Sequence, residues 1–197
     1  MKLNDWLLIF LAVGLIGILL IASPAIASLI RLPSGEEYSE LYLLGPQNMA
    51  DNYPFDVVAN QNYSVYVTVA NHVGSAVYYV LYLKFGNLTD TLPNSLLESP
   101  LSSLYEYRFS LLDGGYWENL VTFSFSNSSI SGDYSQIDNL CINGLTLSVE
   151  KPSLWDSNNT TFGYRLVFEL WVFNSNSDVV SYNDRFVDLQ LNLTSTI

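Results

Sequence analysis

The distribution of apolar positions divides the chain into two textures. From Trp6 to Ile30 no residue is charged. Roughly 20 apolar residues at 1.5 Å per residue cross a bilayer core, so this run predicts one membrane-spanning helix over residues 6–30. Lys2 and Asp5 precede it and Arg31 follows, its stem long enough to reach the far headgroups. The N-terminus is then expected in the cytoplasm and everything past the helix outside it. Two readings remain open, a permanent anchor and a signal peptide cut after Ala25-Ile26-Ala27. The run outlasts the apolar core of about 7–15 residues usual for signal peptides, which favours the anchor. Gly14 and Gly17 are three apart, not four, so no helix-dimer motif is formed.

Past a polar linker at 32–38, with Pro33, Gly35, Glu36 and Glu37, the periodicity becomes that of strands. Strands are predicted over Ser39–Leu44, Tyr63–Ala70, Ala76–Phe85, Leu104–Leu112, Trp117–Phe125, Ile137–Val149, Phe162–Phe173 and Phe186–Leu193. Tyr63, Val65, Val67 and Val69 alternate against Ser64, Tyr66, Thr68 and Ala70, as on a half-buried strand. Ala76–Phe85 is apolar almost throughout, which places it centrally with both faces covered. Asn71-His72-Val73-Gly74 predicts a hairpin between those two strands, and Asp113-Gly114-Gly115 a second one. Gly144 reads as a bulge within its strand. The polar stretch from Gly86 to Ser103 reads as a long connection with one helical turn near Ser95–Glu98. About eight antiparallel strands and no amphipathic helix after the first run predict a two-sheet β-sandwich. The organisation expected is an anchor over 1–31, a linker over 32–38 and an extracytoplasmic domain over 39–197.

Charge narrows the function. Nineteen Asp and Glu against seven Lys and Arg give a net charge of −12, which repels nucleic-acid phosphates. Hydrophobic residues at 49 % argue against disorder. Cys141 is the lone Cys, so no intrachain disulfide exists, and it reads as a small buried apolar side chain. Asn-x-Ser/Thr acceptors occur at Asn62, Asn87, Asn127, Asn158, Asn159 and Asn192, with the adjacent pair taken as one site at Asn159. They fit an exported glycoprotein.

Leu43-Leu44-Gly45-Pro46, Met49-Ala50, Asn52-Tyr53-Pro54 and Val69-Ala70-Asn71-His72 followed by Gly74 form a recognisable block. With Trp117-Glu118, Val121-Thr122-Phe123 and Arg165-Leu166-Val167-Phe168, it resembles the C-terminal domain of an archaeal membrane-protein family, domain of unknown function sixteen-sixteen. The likeness runs over roughly 38–173. It implies an archaeal envelope setting and an immunoglobulin-like extracytoplasmic domain, and it carries over no catalytic residues. By their own chemistry the residues of the block read as turn formers, with Asn71 and Gly74 suited to left-handed backbone.

Few patterns carry chemistry. Asn174, Asn176 and Asp178 alternate like the start of a calcium loop, yet Val179 stands at the glycine position and Arg185 at the closing acid. Glu118 beside Trp117 and Glu169 within an apolar strand are candidate perturbed acids, though a strand acid ordinarily faces solvent. Glu169 and Arg165 share a face about 13 Å apart, too far to pair. The single His72 falls in a predicted turn, and no nucleophile elbow or phosphate-binding glycine loop occurs. No enzyme activity, metal or cofactor is therefore expected, with a glycosidase the least favoured alternative. Fourteen Tyr and four Trp exceed what a small core absorbs, which marks Tyr66, Tyr78, Tyr82 and Trp155 as candidate interface or glycan-stacking residues. The expected function is a membrane-anchored envelope protein that meets envelope proteins or copies of itself. A carbohydrate-binding module for envelope glycans is the alternative.

Overall fold

The computed structural model describes residue 6, residues 10–18, residue 23, and residues 37–157, 161–175 and 177–194. Residues 10–18 are α-helical. Among the described residues no helix is long and apolar enough to cross a membrane, and most of the predicted span lies outside them. The chain divides into compact units at Met1–Glu37 and Tyr38–Ile197.

The second unit is all β. Its strands are β1 (Tyr38–Leu44), β2 (Asp56–Val58), β3 (Tyr63–His72), β4 (Val77–Asn87), β5 (Ser103–Leu111), β6 (Tyr116–Ser131), β7 (Tyr134–Ile142), β8 (Leu145–Asp156), β9 (Thr161–Asn174) and β10 (Val179–Thr194). One curled sheet makes two layers. The first runs β1-β3-β6-β7-β8, and the second β5-β4-β9-β10-β2. They join where the end of β8 leaves β7 and pairs Trp155 with Phe162 on β9. All pairs are antiparallel except β10 with β2.

Alternation fills the space between the layers. Val65, Val67, Val69, Val121, Phe123 and Phe125 line one inner face, with Leu81, Leu83, Phe85, Leu166, Phe168 and Leu170 opposite. Phe85 stacks on Tyr164 at 5.5 Å and tilts against Phe125 at 5.6 Å. Four buried hydroxyls bond across the layers, Ser39 with Tyr79 at 2.8 Å and Ser135 with Tyr164 at 2.7 Å. These four oxygens are thereby satisfied inside the core.

Among the described residues the strand count is ten, not about eight. Asp56–Val58 was too short to show alternation. Ile137–Val149 is two strands, because Asn143 (φ 51°) and Gly144 (φ 82°) make a two-residue turn where a bulge was expected. Asn-Gly takes left-handed backbone at both positions, the geometry a tight hairpin needs.

Both predicted hairpins are instead arches between layers. β3 pairs with β1 and β6, while β4 pairs with β5 and β9; β5 and β6 do not pair either. β4 is covered on both faces as its sequence required, and that central place draws it away from β3. Asn71 fastens the two arches together. It is fully buried, donates from Nδ2 to the Ser75 and Leu111 carbonyls and accepts from Val73 N. Its main chain bonds Gly115 and Gly114. Asn71 is therefore a tie, not a left-handed turn residue, and His72 ends β3 stacked on Tyr38 at 4.9 Å. Gly45 has a comparable steric reason. A Cβ there would collide with the Asp51 carbonyl.

Candidate functional site

The outer face of the second layer carries a buried ion pair. On β4 and β9 the outward positions include Tyr78, Val80, Tyr82 and Lys84, and Arg165, Val167, Glu169 and Trp171. The connection over 88–102 folds across this face as a strap, so Lys84 and Glu169 are buried. Lys84 Nζ lies 2.8 Å from Glu169 Oε2. Lys84 also donates to the Ser99 carbonyl at 3.0 Å and to Ser99 Oγ at 3.3 Å. Glu169 Oε1 accepts from Ser99 N and Oγ, and Trp171 Nε1 reaches Oε2 at 3.4 Å. Glu169 is thus not the solvent-facing strand acid expected, and Arg165 pairs with Asp188. Both charges are neutralised in place and the carboxylate has no vacant side. The arrangement locks the strap down and offers no free acid for catalysis.

Within the strap, Asn94 Oδ1 accepts from Leu96 N and Leu97 N. That side-chain turn replaces the expected helical turn near Ser95–Glu98, because the Asn takes the amides a helix would use. Beside the pair, the Tyr182 hydroxyl is buried without a hydrogen-bond partner. Its pKa is pushed up to about 12, first by burial and then by the charges of Glu169 and Asp184. Tyr164 is likewise raised to about 12 by burial, and its bond to Ser135 works in the opposite direction.

A second feature is open. Where β8 changes layers, a groove of about 490 Å³ opens between the 87–89 turn and the end of β8. Leu154 is 70 % exposed, and Trp155 and Tyr134 41 % each. The Trp155 indole is held edge-on to Phe162 at 5.1 Å and its amide donates to the Asp133 carbonyl. An anchored aromatic beside a bare leucine suits an apolar side chain or the flat face of a sugar.

The four aromatics singled out from sequence do not gather at one site. Tyr66 sits half-buried on the first layer, paired with Leu44 and Leu120. Tyr78 and Tyr82 lie on the strapped face, edge-on to Phe173 at 6.3 Å and to Trp171 at 5.5 Å. Trp155 alone lines the groove. Its partners Tyr134 and Leu154 went unnoticed, since a turn and a layer switch bring them together. Lys84 and Glu169 did leave a signal, Lys84 being the lone charge of β4 and Glu169 sharing an otherwise apolar strand with Arg165 alone.

The glycosylation acceptors also separate. Asn62 is exposed, and so is Asn127, which bonds Asp138 at 2.9 Å. Asn87 spends Nδ2 on the Pro152 carbonyl and Oδ1 on the amides of Thr89 and Asp90. Asn192 donates Nδ2 to Asp56. Asn158 and Asn159 lie outside the described residues. Asn176 does too, so the calcium-like triplet is described only at Asn174 and at Asp178 in the β9–β10 turn, where Asp178 has φ 55°. Among the described residues no three His, Cys, Asp or Glu converge. Glu118 accepts from Asn48 and Thr68. Cys141 is half-exposed on β7, not buried.

A family model described as Domain of unknown function (DUF1616) matches residues 32–172. The chain belongs to that family. The DUF1616 match spans β1 to most of β9, leaving β10 beyond it. No curated protein matches significantly. Among solved structures, the CARDB domain of a Pyrococcus furiosus protein, crystallised with two metal ions, is similar at 11 % identity and TM-score 0.40. That likeness covers 83 % of this chain and 94 % of the other. The C-terminal domain of wzt is similar at 12 % identity and TM-score 0.39, over 83 % of this chain and 81 % of that one. A β-glucosidase from Listeria innocua is similar at 12 % identity and TM-score 0.38, over 83 % of this chain and 17 % of the enzyme.

Proposed function

We propose that this DUF1616 chain is a non-enzymatic, membrane-anchored envelope protein. Its immunoglobulin-like sandwich stands outside the membrane and engages partner proteins through the groove at Trp155. The groove carries the reading: a chain of net charge −12 leaves Leu154, Trp155 and Tyr134 uncovered around one opening. Contiguous bare apolar side chains ringed by polar ones are characteristic of recognition surfaces. The uncharged run over 6–30 supports anchorage, and the acceptors at Asn62 and Asn127 support export. A catalytic reading gains nothing from Glu169, which is the buried carboxylate among the described residues and is already held by Lys84 and Ser99.

The test is retention of solubilised envelope proteins on the immobilised full chain. A partner should be retained by the native protein and by Tyr66→Ala, and lost with Leu154→Asp or Trp155→Ala. Equal retention by all four contradicts the reading. Glycan binding is the second reading, favoured by the exposed Trp155 ring. It predicts saturable binding of envelope oligosaccharides that Trp155→Ala removes.

A further inference from the structure

Three strands have a single hydrogen-bonded neighbour: β1, β2 and β5. β1 has seven residues and β2 three, and the free side of β1 meets β10, where Arg185 Nε donates to the Ser39 carbonyl. β5 has nine residues, and its pairing is with β4 alone. Its outer edge therefore presents a row of main-chain donors and acceptors of the kind that pairs with another strand.

Past the register shift at Leu104, the side chains of Tyr105–Phe109 are arranged symmetrically about Tyr107. Ser103–Leu111 is centred on Tyr107. On the outer face Glu106 and Arg108 flank the centre with opposite charge, half-exposed at 45 % and 50 %. On the inner face Tyr105 and Phe109 flank it, both partly buried against the core. A charged pair ordinarily protects an edge from unwanted pairing. Here the order of the charges makes the edge complementary to itself.

We propose that β5 pairs antiparallel with β5 of a second copy of this chain, about a two-fold axis at Tyr107. In this register Glu106 of each copy stands opposite Arg108 of the other, and Tyr105 opposite Phe109, so the regular stretch Tyr105–Phe109 pairs in full, short of the register shift at Leu104. The two intrachain ion pairs of 2.8 Å, one in each copy, are exchanged for two interchain ones, and the second layers of the two copies become one continuous sheet. No residue of the Trp155 groove takes part. The inference names a partner for the assembly side of the proposed function and rests on that reading only for why copies meet.

Sedimentation equilibrium of the full chain in density-matched detergent tests it. The native chain dimerises; Glu106→Arg and Arg108→Glu each weaken the dimer by on the order of tenfold or more, because two like-charge contacts replace two opposite ones. The double reversal Glu106→Arg/Arg108→Glu restores the affinity to within about threefold, since the pattern is again self-complementary. Unfolding midpoints confirm that these half-exposed variants stay folded. A Cys141→Ser chain carrying Glu106→Cys, mixed with one carrying Arg108→Cys, forms interchain disulfides faster than either alone. A native chain that stays monomeric, a dimer indifferent to single reversal, or a double reversal that remains dissociated overturns the proposal. Retention through the groove, read with Leu154→Asp, is unaffected by the β5 variants, so the two readings fail separately.

Discussion

Lys84 Nζ lies 2.8 Å from Glu169 Oε2 on the neighbouring strand, with 6 % and 0 % of the two side chains exposed. The strap reaches both through one residue, Ser99. Removing one partner of such a pair strands the other charge in a dry setting. Lys84→Met is therefore expected to cost about 3–5 kcal/mol in urea unfolding, and Lys84→Met/Glu169→Leu to recover most of that loss. Limited proteolysis should cut Lys84→Met at the exposed Leu96-Leu97 first, as the strap comes loose. Additive single and double variants would show the two side chains to be energetically unconnected.

Asn71 makes the second structural prediction. Its side chain satisfies two carbonyls and one amide in a site closed to water. Asn71→Ala orphans all three and is expected to cost about 3 kcal/mol in thermal or urea unfolding. Asn71→Asp should cost more, because it turns a donor into a charged acceptor facing the Ser75 and Leu111 carbonyls. A loss below 1 kcal/mol for Asn71→Ala, against the ~1–3 kcal/mol each unmet buried group costs, would dispose of the arch-tie account.

How far these features were legible in the sequence depends on their range. Alternation in β3 and β9 located the inner faces, and the apolar length of β4 gave its central position. Strand partnership is a non-local property, and local turn chemistry misdirected it twice. Asn71–Gly74 and Asp113–Gly115 have hairpin composition, yet each carries the chain across to the other layer. Asn143-Gly144 is the reverse case, a true hairpin hidden inside an apolar run. Trp155 was visible as an aromatic in a loop-rich stretch, whereas its neighbours Tyr134 and Leu154 are set by the β7–β8 pairing.

Alkaline pH gives a third prediction. The Tyr164 phenol has its pKa raised from 10.0 to about 12. Below pH 10 the folded and unfolded chains both keep the proton. Between pH 10 and 12 the unfolded chain releases it while the fold retains it, so stability falls as pH rises. Tyr164→Phe is expected to flatten this decline in urea-unfolding series at successive pH values. An unchanged slope between the native chain and Tyr164→Phe would contradict the burial of this hydroxyl.

Sequon occupancy is the fourth. Asn62 and Asn127 are exposed, Asn127 with one surface bond to Asp138, whereas Asn87 and Asn192 are half-buried and tied by their amide nitrogens to Pro152 and Asp56. Mass spectrometry of protein isolated from its native cells should find glycan at Asn62 and Asn127 and unmodified peptide at Asn87 and Asn192. Glycan at Asn87 would require its bonds to Pro152, Thr89 and Asp90 to be broken or remade.

The sharpest single measurement places an impermeant photoactivatable thiol reagent on intact cells expressing Leu154→Cys in a Cys141→Ser chain. The sandwich is expected to take the label without lysis and, on illumination, to yield a discrete adduct that Trp155→Ala eliminates. Labelling only after the cells are broken, or labelling that yields no adduct, would contradict an outward-facing domain that works through this groove.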